Sequence, residues 1–279
     1  MDNTNSLLLN RIFTRSTLRQ LLDEGENQAY TAAVRRYISD SSRMTNEKCI
    51  SEIYHILKSE YQNEYYYKNT LLNKLLLGIH SPRTTTALTE VPIGNSKADF
   101  ILINGKAVVY EIKTDLDNFD RLDGQISDYF KAFSRVVVVT SENNYEGIQK
   151  RLQDSPVGIC ILTARGTLSM RKEPQEYTEK LCKSTMFKIL RKDEYEQIIR
   201  DSLGKLPTVS QFEYYRACKS KFESLSLDIA YNSFIRTLKK RSKIEIEEYT
   251  EVPYELKFLI YFSDFKKRDY SKLKRFLNA

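Results

Sequence analysis

Lys97-Ala98-Asp99-Phe100-Ile101-Leu102-Ile103-Asn104-Gly105-Lys106-Ala107-Val108-Val109-Tyr110-Glu111-Ile112-Lys113 is the stretch on which the reading of this chain turns. Two apolar runs flank Asn104-Gly105, and Asn-Gly between such runs is the strongest short-range signal for a β-hairpin. Charged residues stand near the outer end of each strand, so the hairpin would carry the carboxylates of Asp99 and Glu111 to one edge of a sheet. Side chains two apart on a strand share a face, which sets Lys113 beside Glu111. Two carboxylates and an amine converging there make a divalent-metal site with a cation next to it, the equipment for hydrolysing a phosphodiester.

The register is a test of this arrangement. A two-residue loop at Asn104-Gly105 pairs Ile103 with Lys106 and Asp99 with Tyr110, leaving Asp99 and Glu111 on opposite faces. A three-residue loop, Ile103-Asn104-Gly105, pairs Leu102 with Lys106 and gathers the odd-numbered residues on one face. Gly105 then takes the left-handed conformation that glycine adopts at little cost. A shared metal requires this second arrangement, or a bulge with the same effect.

Outward from the hairpin, Thr86-Ala87-Leu88-Thr89-Glu90-Val91-Pro92 reads as a strand ended by Pro92, followed by a turn at Gly94-Asn95-Ser96. Before it, apolar residues recur at helical spacing over residues 6–40 and 46–77, with a break near Gln62-Asn63. After the hairpin the pattern predicts a helix over 117–133 and a wholly apolar strand, Arg135–Thr140, of the kind buried on both faces in a parallel sheet. A short helix at Tyr145–Leu152 and a last hairpin, Val157–Leu162 with Thr167–Arg171, come next. Beyond residue 185 the pattern is helical, punctuated by Gly204-Lys205-Leu206-Pro207 and Pro253. The expectation is an α/β protein: an αβββαβ core with a mixed sheet flanked by helices, N-terminal helices and a mainly helical C-terminal region. The expected division is 1–45, 46–182 and 183–279.

Composition narrows the chemistry. The 279 residues are 41% hydrophobic and 29% charged, an ordinary globular balance. No apolar run is long enough to span a bilayer and the start carries no secretory pattern, so a cytoplasmic chain with no membrane partner is expected. The four cysteines, Cys49, Cys160, Cys182 and Cys218, have no metal-finger spacing and read as reduced thiols. With only His55 and His80, imidazole-based metal sites and Ser-His-Asp arrangements have few candidates. No phosphate-cradling glycine loop of the Walker or dinucleotide type appears. Any metal should be oxygen-ligated, which favours Mg²⁺ or Mn²⁺. The net charge of +7 lies in the last third: residues 183–279 hold 21 Lys and Arg against 14 Asp and Glu. Lys239-Lys240-Arg241, Lys266-Lys267-Arg268 and Lys274-Arg275 are either a solvated helical surface or contacts for the phosphates of a nucleic acid.

An Asp on the second strand and Glu-x-Lys on the third, in an αβββαβ order, resemble the PD-(D/E)XK (restriction-endonuclease-like) nuclease superfamily. The leading Pro of that pattern is absent, since Ala98 precedes Asp99. Gln125-Ile126-Ser127-Asp128-Tyr129 is similar to the Gln-x-x-x-Tyr element on the following helix in the exonuclease-like branch. The run from Glu111 to Tyr129 resembles a bacterial family of small stand-alone members of poorly defined function. The likeness covers roughly residues 46–172. Glu255-Leu256-Lys257 is a second Glu-x-Lys, in a helical region with no Asp-bearing partner strand, and reads as chance.

The resemblance implies a metal-dependent nuclease acting on DNA. Asp99, Glu111 and the carbonyl of Ile112 would ligate Mg²⁺ or Mn²⁺, Lys113 would orient the attacking water, and Gln125 would contact water or phosphate, supported by Tyr129. For Lys113 the alternative is a structural ion pair to Asp99 or Glu111. Glu52 and Glu90 are supporting candidates, each otherwise a solvated side chain. Arg121 would bind phosphate or pair with Asp117. Asp117 and Asp120 are expected to complement the dipole of a helix N-terminus. A non-catalytic nucleic-acid-binding or adaptor protein, with a protein partner or as a homo-oligomer, in a phage-defence or mobile-element system, is the other reading.

Overall fold

Three antiparallel strands, β1 (Thr86–Ile93), β2 (Ser96–Asn104) and β3 (Lys106–Lys113), open the sheet. The β2–β3 register pairs Ile103 with Ala107 and Asn104 with Lys106, turning at Gly105 with φ 70°. The odd-numbered residues therefore share a face, as a common site requires. The turn centres one residue later than expected, on Asn104-Gly105-Lys106 rather than Ile103-Asn104-Gly105. Pro92 does not end β1: it pairs with Lys97 in the ladder, which an edge strand tolerates because a proline, having no N–H to donate, costs no ladder bond on the side without a neighbouring strand.

This computed structural model describes residues 3–241 and 244–279. Helix α1 (Asn3–Ile12), α2 (Arg15–Glu24), α3 (Gln28–Tyr37), α4 (Asn46–Glu60) and α5 (Glu64–Leu71) precede the sheet, with a π-helical turn at Leu72–Ile79. The break near Gln62-Asn63 is the start of α5, where the Asn63 side chain accepts the Tyr66 N–H. After β3 come α6 (Leu122–Tyr129), β4 (Val136–Thr140), α7 (Tyr145–Leu152), β5 (Gly158–Leu162) and β6 (Leu168–Lys172). The six strands lie in sequence order, with β3, β4 and β5 parallel through the α6 and α7 crossovers. Every residue of β4 and β5 is buried, as their unbroken apolar runs demand. Helices α8 (Lys183–Ile189), α9 (Lys192–Leu203), α10 (Gln211–Glu223), α11 (Leu227–Lys239), α12 (Ile246–Thr250), α13 (Lys257–Tyr261) and α14 (Lys267–Asn278) follow. The protein is thus a mixed α/β fold with a six-stranded mixed sheet flanked by helices, N-terminal helices and a helical C-terminal region. No described helix is long and apolar enough to cross a membrane.

Packing divides the chain differently from the expected linear order. One unit is Met1–Arg83, Leu162–Leu168 and Lys243–Ala279; the other is Thr84–Ile161 and Ser169–Ser242. In the first, Asn69 is fully buried and knits three segments: its amide donates to Tyr54 Oη at 2.9 Å and to the Tyr254 carbonyl at 3.0 Å, and its carbonyl accepts from the Phe258 N–H at 3.0 Å. The chance Glu-x-Lys also lies there, and Lys257 Nζ caps carbonyls of Tyr249 and Thr250 at 2.7 and 2.9 Å. In the second unit, α8, α9, α10 and α11 supply Phe187, Ile199, Phe222 and Phe234 to the same apolar core as Ile101, Val109 and Val138 of the sheet. Part of the basic excess is spent inside this unit. Arg241 holds Glu194 with two hydrogen bonds, 2.7 and 2.6 Å, both side chains largely buried, and also donates to the Ile189 carbonyl. Lys266, Lys267, Arg268, Lys274 and Arg275 are exposed.

The β1–β2 turn is clamped by Asp128 of α6. Asp128 Oδ2 accepts from the Asn95 N–H at 3.0 Å and Ser96 Oγ at 2.8 Å, while Oδ1 pairs with Lys131 at 2.7 Å. Burial works to raise the Asp128 pKa, but these hydrogen bonds outweigh it and hold the carboxyl below its ordinary value. Gly94, at φ 63°, would place a Cβ 2.5 Å from Asp128 Oδ1. Gly94→Ala is therefore expected to cost roughly 2–4 kcal/mol, from left-handed strain plus displaced hydrogen bonds to a charged group. Gly105→Ala, at φ 70° with nothing within 4 Å of its Cβ, should cost only the strain, about 1–2 kcal/mol. Urea unfolding of both variants measures the difference. Because the folded-state pKa is depressed, the clamp's charge-dependent stabilisation is complete above the unfolded value of about 3.9 and fades as pH falls through the folded one. The stability gap between wild type and Asp128→Asn should narrow over that acid range.

Candidate metal and phosphate site

The odd-numbered face of β2 and β3 packs Ile101, Ile103, Ala107 and Val109 against Leu122, Ile126 and Tyr129 of α6. Continued outward, the same parity sets Asp99, Glu111 and Lys113 on that face. Glu111 is 1% exposed and Lys113 7% exposed, so both charges are buried. They answer each other. Lys113 Nζ lies 3.0 Å from Glu111 Oε1 and donates to Gln125 Oε1 at 2.9 Å. The ion pair lacks hydrogen-bond alignment, so Glu111 Oε1 is buried with no hydrogen bond. Glu111 Oε2 accepts from Tyr129 Oη at 2.6 Å.

Tyr129 Oη also lies 3.0 Å from the Lys97 carbonyl, and its single proton serves one acceptor at a time. Burial first, then the Glu111 charge, pushes the Tyr129 phenol far up, so it stays a donor at neutral pH. Gln125 and Tyr129, one turn apart on α6, thus address the two ends of the Glu111–Lys113 pair. Asp99 is half-buried where the β2–β3 ladder ends, and its Oδ2 accepts the Ile112 N–H at 2.8 Å.

Glu90 joins this group across β1. Thr89 pairs with Phe100 and Val91 with Ala98, so Glu90 stands at the register position opposite Asp99, and the two carboxylates lie within 4.8 Å of one another. Glu90 has φ 56°, left-handed backbone inside a strand, which costs a non-glycine residue about 1–3 kcal/mol and concentrates at functional sites. Its side chain pairs with Lys97. Lys97 was not among the expected site residues, although it lies two positions before Asp99 and so on the same face.

Other expectations resolve differently. Glu52 is exposed on α4, in the other unit. Arg121 is exposed and makes no ion pair with Asp117 among the described residues; it lines a groove of about 840 Å³ with Lys97, Asp120, Gly124, Gln125 and Asp128. Asp117 does not open a helix: α6 begins at Leu122, and Asp117 Oδ2 instead caps Thr114, accepting its N–H at 2.8 Å and its hydroxyl at 2.7 Å. Asp123 is held by Arg151 at 3.0 and 2.8 Å.

The carboxylates of Glu90 and Asp99 lie within 4.8 Å of one another, and on the same sheet face Glu111 Oε1 is buried without a hydrogen bond among the described residues; all are oxygen donors of the kind a hard divalent cation such as Mg²⁺ takes. A lysine stands beside it, and a groove with two cationic side chains leads along α6.

A family model described as bacteriophage P4 protein cII matches residues 57–257 of this chain. Protein cII of Enterobacteria phage P4 is 27% identical over 161 residues, which are 56% of this chain and 59% of that relative's length. A solved structure of a protein of unknown function from Silicibacter pomeroyi is 18% identical, covers 44% of this chain and 84% of its own, and superposes with a TM-score of 0.29.

Proposed function

The chain belongs to the bacteriophage P4 protein cII family, and we propose that it is a metal-dependent nuclease of the PD-(D/E)XK type, hydrolysing DNA phosphodiesters in the cytoplasm. The observation that carries this is that Asp99, Glu111 and Lys113 share one end of one sheet face, where Asp99 accepts the Ile112 N–H, Lys113 pairs with Glu111 and donates to Gln125, and Glu90 stands at the register position opposite Asp99. Asp99, Glu111 and the Ile112 carbonyl would hold Mg²⁺ or Mn²⁺, which supplies polarisation of the scissile phosphate and a bound water of lowered pKa. Lys113 supplies positive charge where negative charge develops on the phosphate. Gln125 holds the Lys113 amine from α6 and so fixes its direction. Tyr129 fixes Glu111 in the same way. Lys97 and Arg121 lie along the groove where the flanking backbone phosphates of DNA would run.

One observation favours a second reading. Lys113 and Glu111 neutralise each other and Tyr129 completes the network, as in a scaffold that keeps its shape for binding DNA or a protein partner without cutting. Incubation with linear, circular and single-stranded DNA under Mg²⁺, Mn²⁺ or EDTA separates the two. Metal-dependent cutting is the expected result. Tight binding with no cutting on any of the three would leave the scaffold.

A further inference from the structure

The first unit contains a pocket of about 300 Å³ that the sheet site does not use. Lys58 of α4, Lys74 of the π-helical turn and Arg165 of the β5–β6 loop line it, with His55 beside them. None of these three cations makes an ion pair among the described residues. The lone carboxylate of the lining, Glu255, is engaged by the Ser51 hydroxyl at 2.9 Å. Cations gathered at a concave surface without counter-charge raise the local potential for an anion.

A second observation is independent of charge. Tyr66 also lines the pocket, is 1% exposed, and has a buried hydroxyl with no hydrogen bond among the described residues. A buried hydroxyl without a partner costs about 1–3 kcal/mol, and a ligand that accepts from it recovers this. Gly166, at φ 78°, brings the loop against that hydroxyl: a Cβ there would lie 2.9 Å from Tyr66 Oη and 3.7 Å from Lys58 Nζ. The phenol and the amine therefore flank one point. Burial lifts the Tyr66 phenol to about 12, so at neutral pH it offers a proton. Tyr54 and Tyr254, with ring centroids 5.9 Å apart and planes at 72°, form an aromatic wall, and Tyr254 is 40% exposed.

We propose that this pocket binds the phosphate group of a nucleotide, the phosphate taken by Lys58, Lys74, Arg165 and the Tyr66 hydroxyl and the base laid on Tyr254. The pocket volume suits a ligand of mononucleotide size, and the proposal stands apart from the chemistry assigned to the sheet. Calorimetric titration of the full chain at low salt, with deoxyadenosine 5′-monophosphate, inorganic phosphate and deoxyadenosine, tests it. The monophosphate should bind with Kd below about 1 mM, inorganic phosphate more weakly, and the nucleoside not at all. Lys58→Gln with Arg165→Gln, both at solvent-accessible positions, should weaken the monophosphate at least tenfold with unchanged thermal unfolding, and Tyr66→Phe several-fold. Inorganic phosphate binding as tightly as the nucleotide would overturn the nucleotide assignment. Absence of binding by either anion, or unaltered binding in the double variant, would overturn the site.

Discussion

Asp99→Asn is expected to lower metal-dependent DNA cleavage by about 10²–10⁴ while leaving the urea unfolding midpoint near that of wild type. The two halves of this expectation come from different oxygens and charges of one side chain. Structurally, Asp99 accepts the Ile112 N–H through Oδ2 at 2.8 Å where the β2–β3 ladder ends. An asparagine carbonyl can accept that bond equally well, so the strand ends stay joined. Chemically, the negative charge is what a hard divalent cation requires, and asparagine lacks it. Metal assistance is worth several kcal/mol of barrier, and each 1.36 kcal/mol is tenfold in rate. The variant is a cleaner probe than any substitution of Glu111 or Lys113, whose charges are buried and hold each other. Cleavage within fivefold of wild type in Asp99→Asn would remove Asp99 from the metal and with it the proposed nuclease.

Much of this site could be read from period-2 alternation, and the parts that could not have identifiable causes. Parity was legible only through the charged residues, since Asp99, Glu111 and Lys113 share a face in an even-summed register, whereas Phe100, Leu102 and Tyr110 bury the other face too and the apolar pattern alone allows either. The loop position was not. A shift of the pairing by two residues, from Leu102 opposite Lys106 to Asn104 opposite Lys106, keeps every side chain on its face, so the pattern cannot tell the two apart. The acidic run after β3 resembled a helix N-terminus, because Asp favours helix starts. Asp also favours local turns that compete with helix, and at Asp117 the turn around Thr114 wins. The unit boundaries were hidden for a similar reason. An amphipathic helix shows that it buries a face, not which surface it covers, so α8 to α11 gave no sign that they share the core of the sheet. The basic last third illustrates the limit of charge counting. Arg241 belongs to a buried pair with Glu194, while the cations of α14 remain at the surface.

Lys113→Ala should destabilise the fold by about 3–5 kcal/mol, whatever the protein does to DNA. Glu111 is 1% exposed; among the described residues its Oε1 has Lys113 3.0 Å away and no hydrogen bond, and its Oε2 accepts from the Tyr129 hydroxyl. Removing the amine leaves a buried carboxylate with one neutral donor, and the protein must then either bear the cost of that charge or protonate it. Gln125 loses its partner as well, though it is half-buried and can reach water. Lys113→Ala with Glu111→Gln should be less destabilised than the sum of the two single variants, by at least about 1 kcal/mol, since the double change removes both charges together. Denaturant unfolding of the four proteins measures the coupling. Additive losses would mean that the buried pair is not coupled, and the Lys113 amine would then be held chiefly by Gln125. A coupled pair has a further consequence for catalysis. A cation held by the Glu111 carboxylate would compete with the Lys113 ion pair, leaving the amine, directed by Gln125, to offer its charge to the phosphate. Metal binding and the direction of Lys113 would then be linked, and Mg²⁺ should narrow the stability difference between wild type and Lys113→Ala by stabilising the variant more.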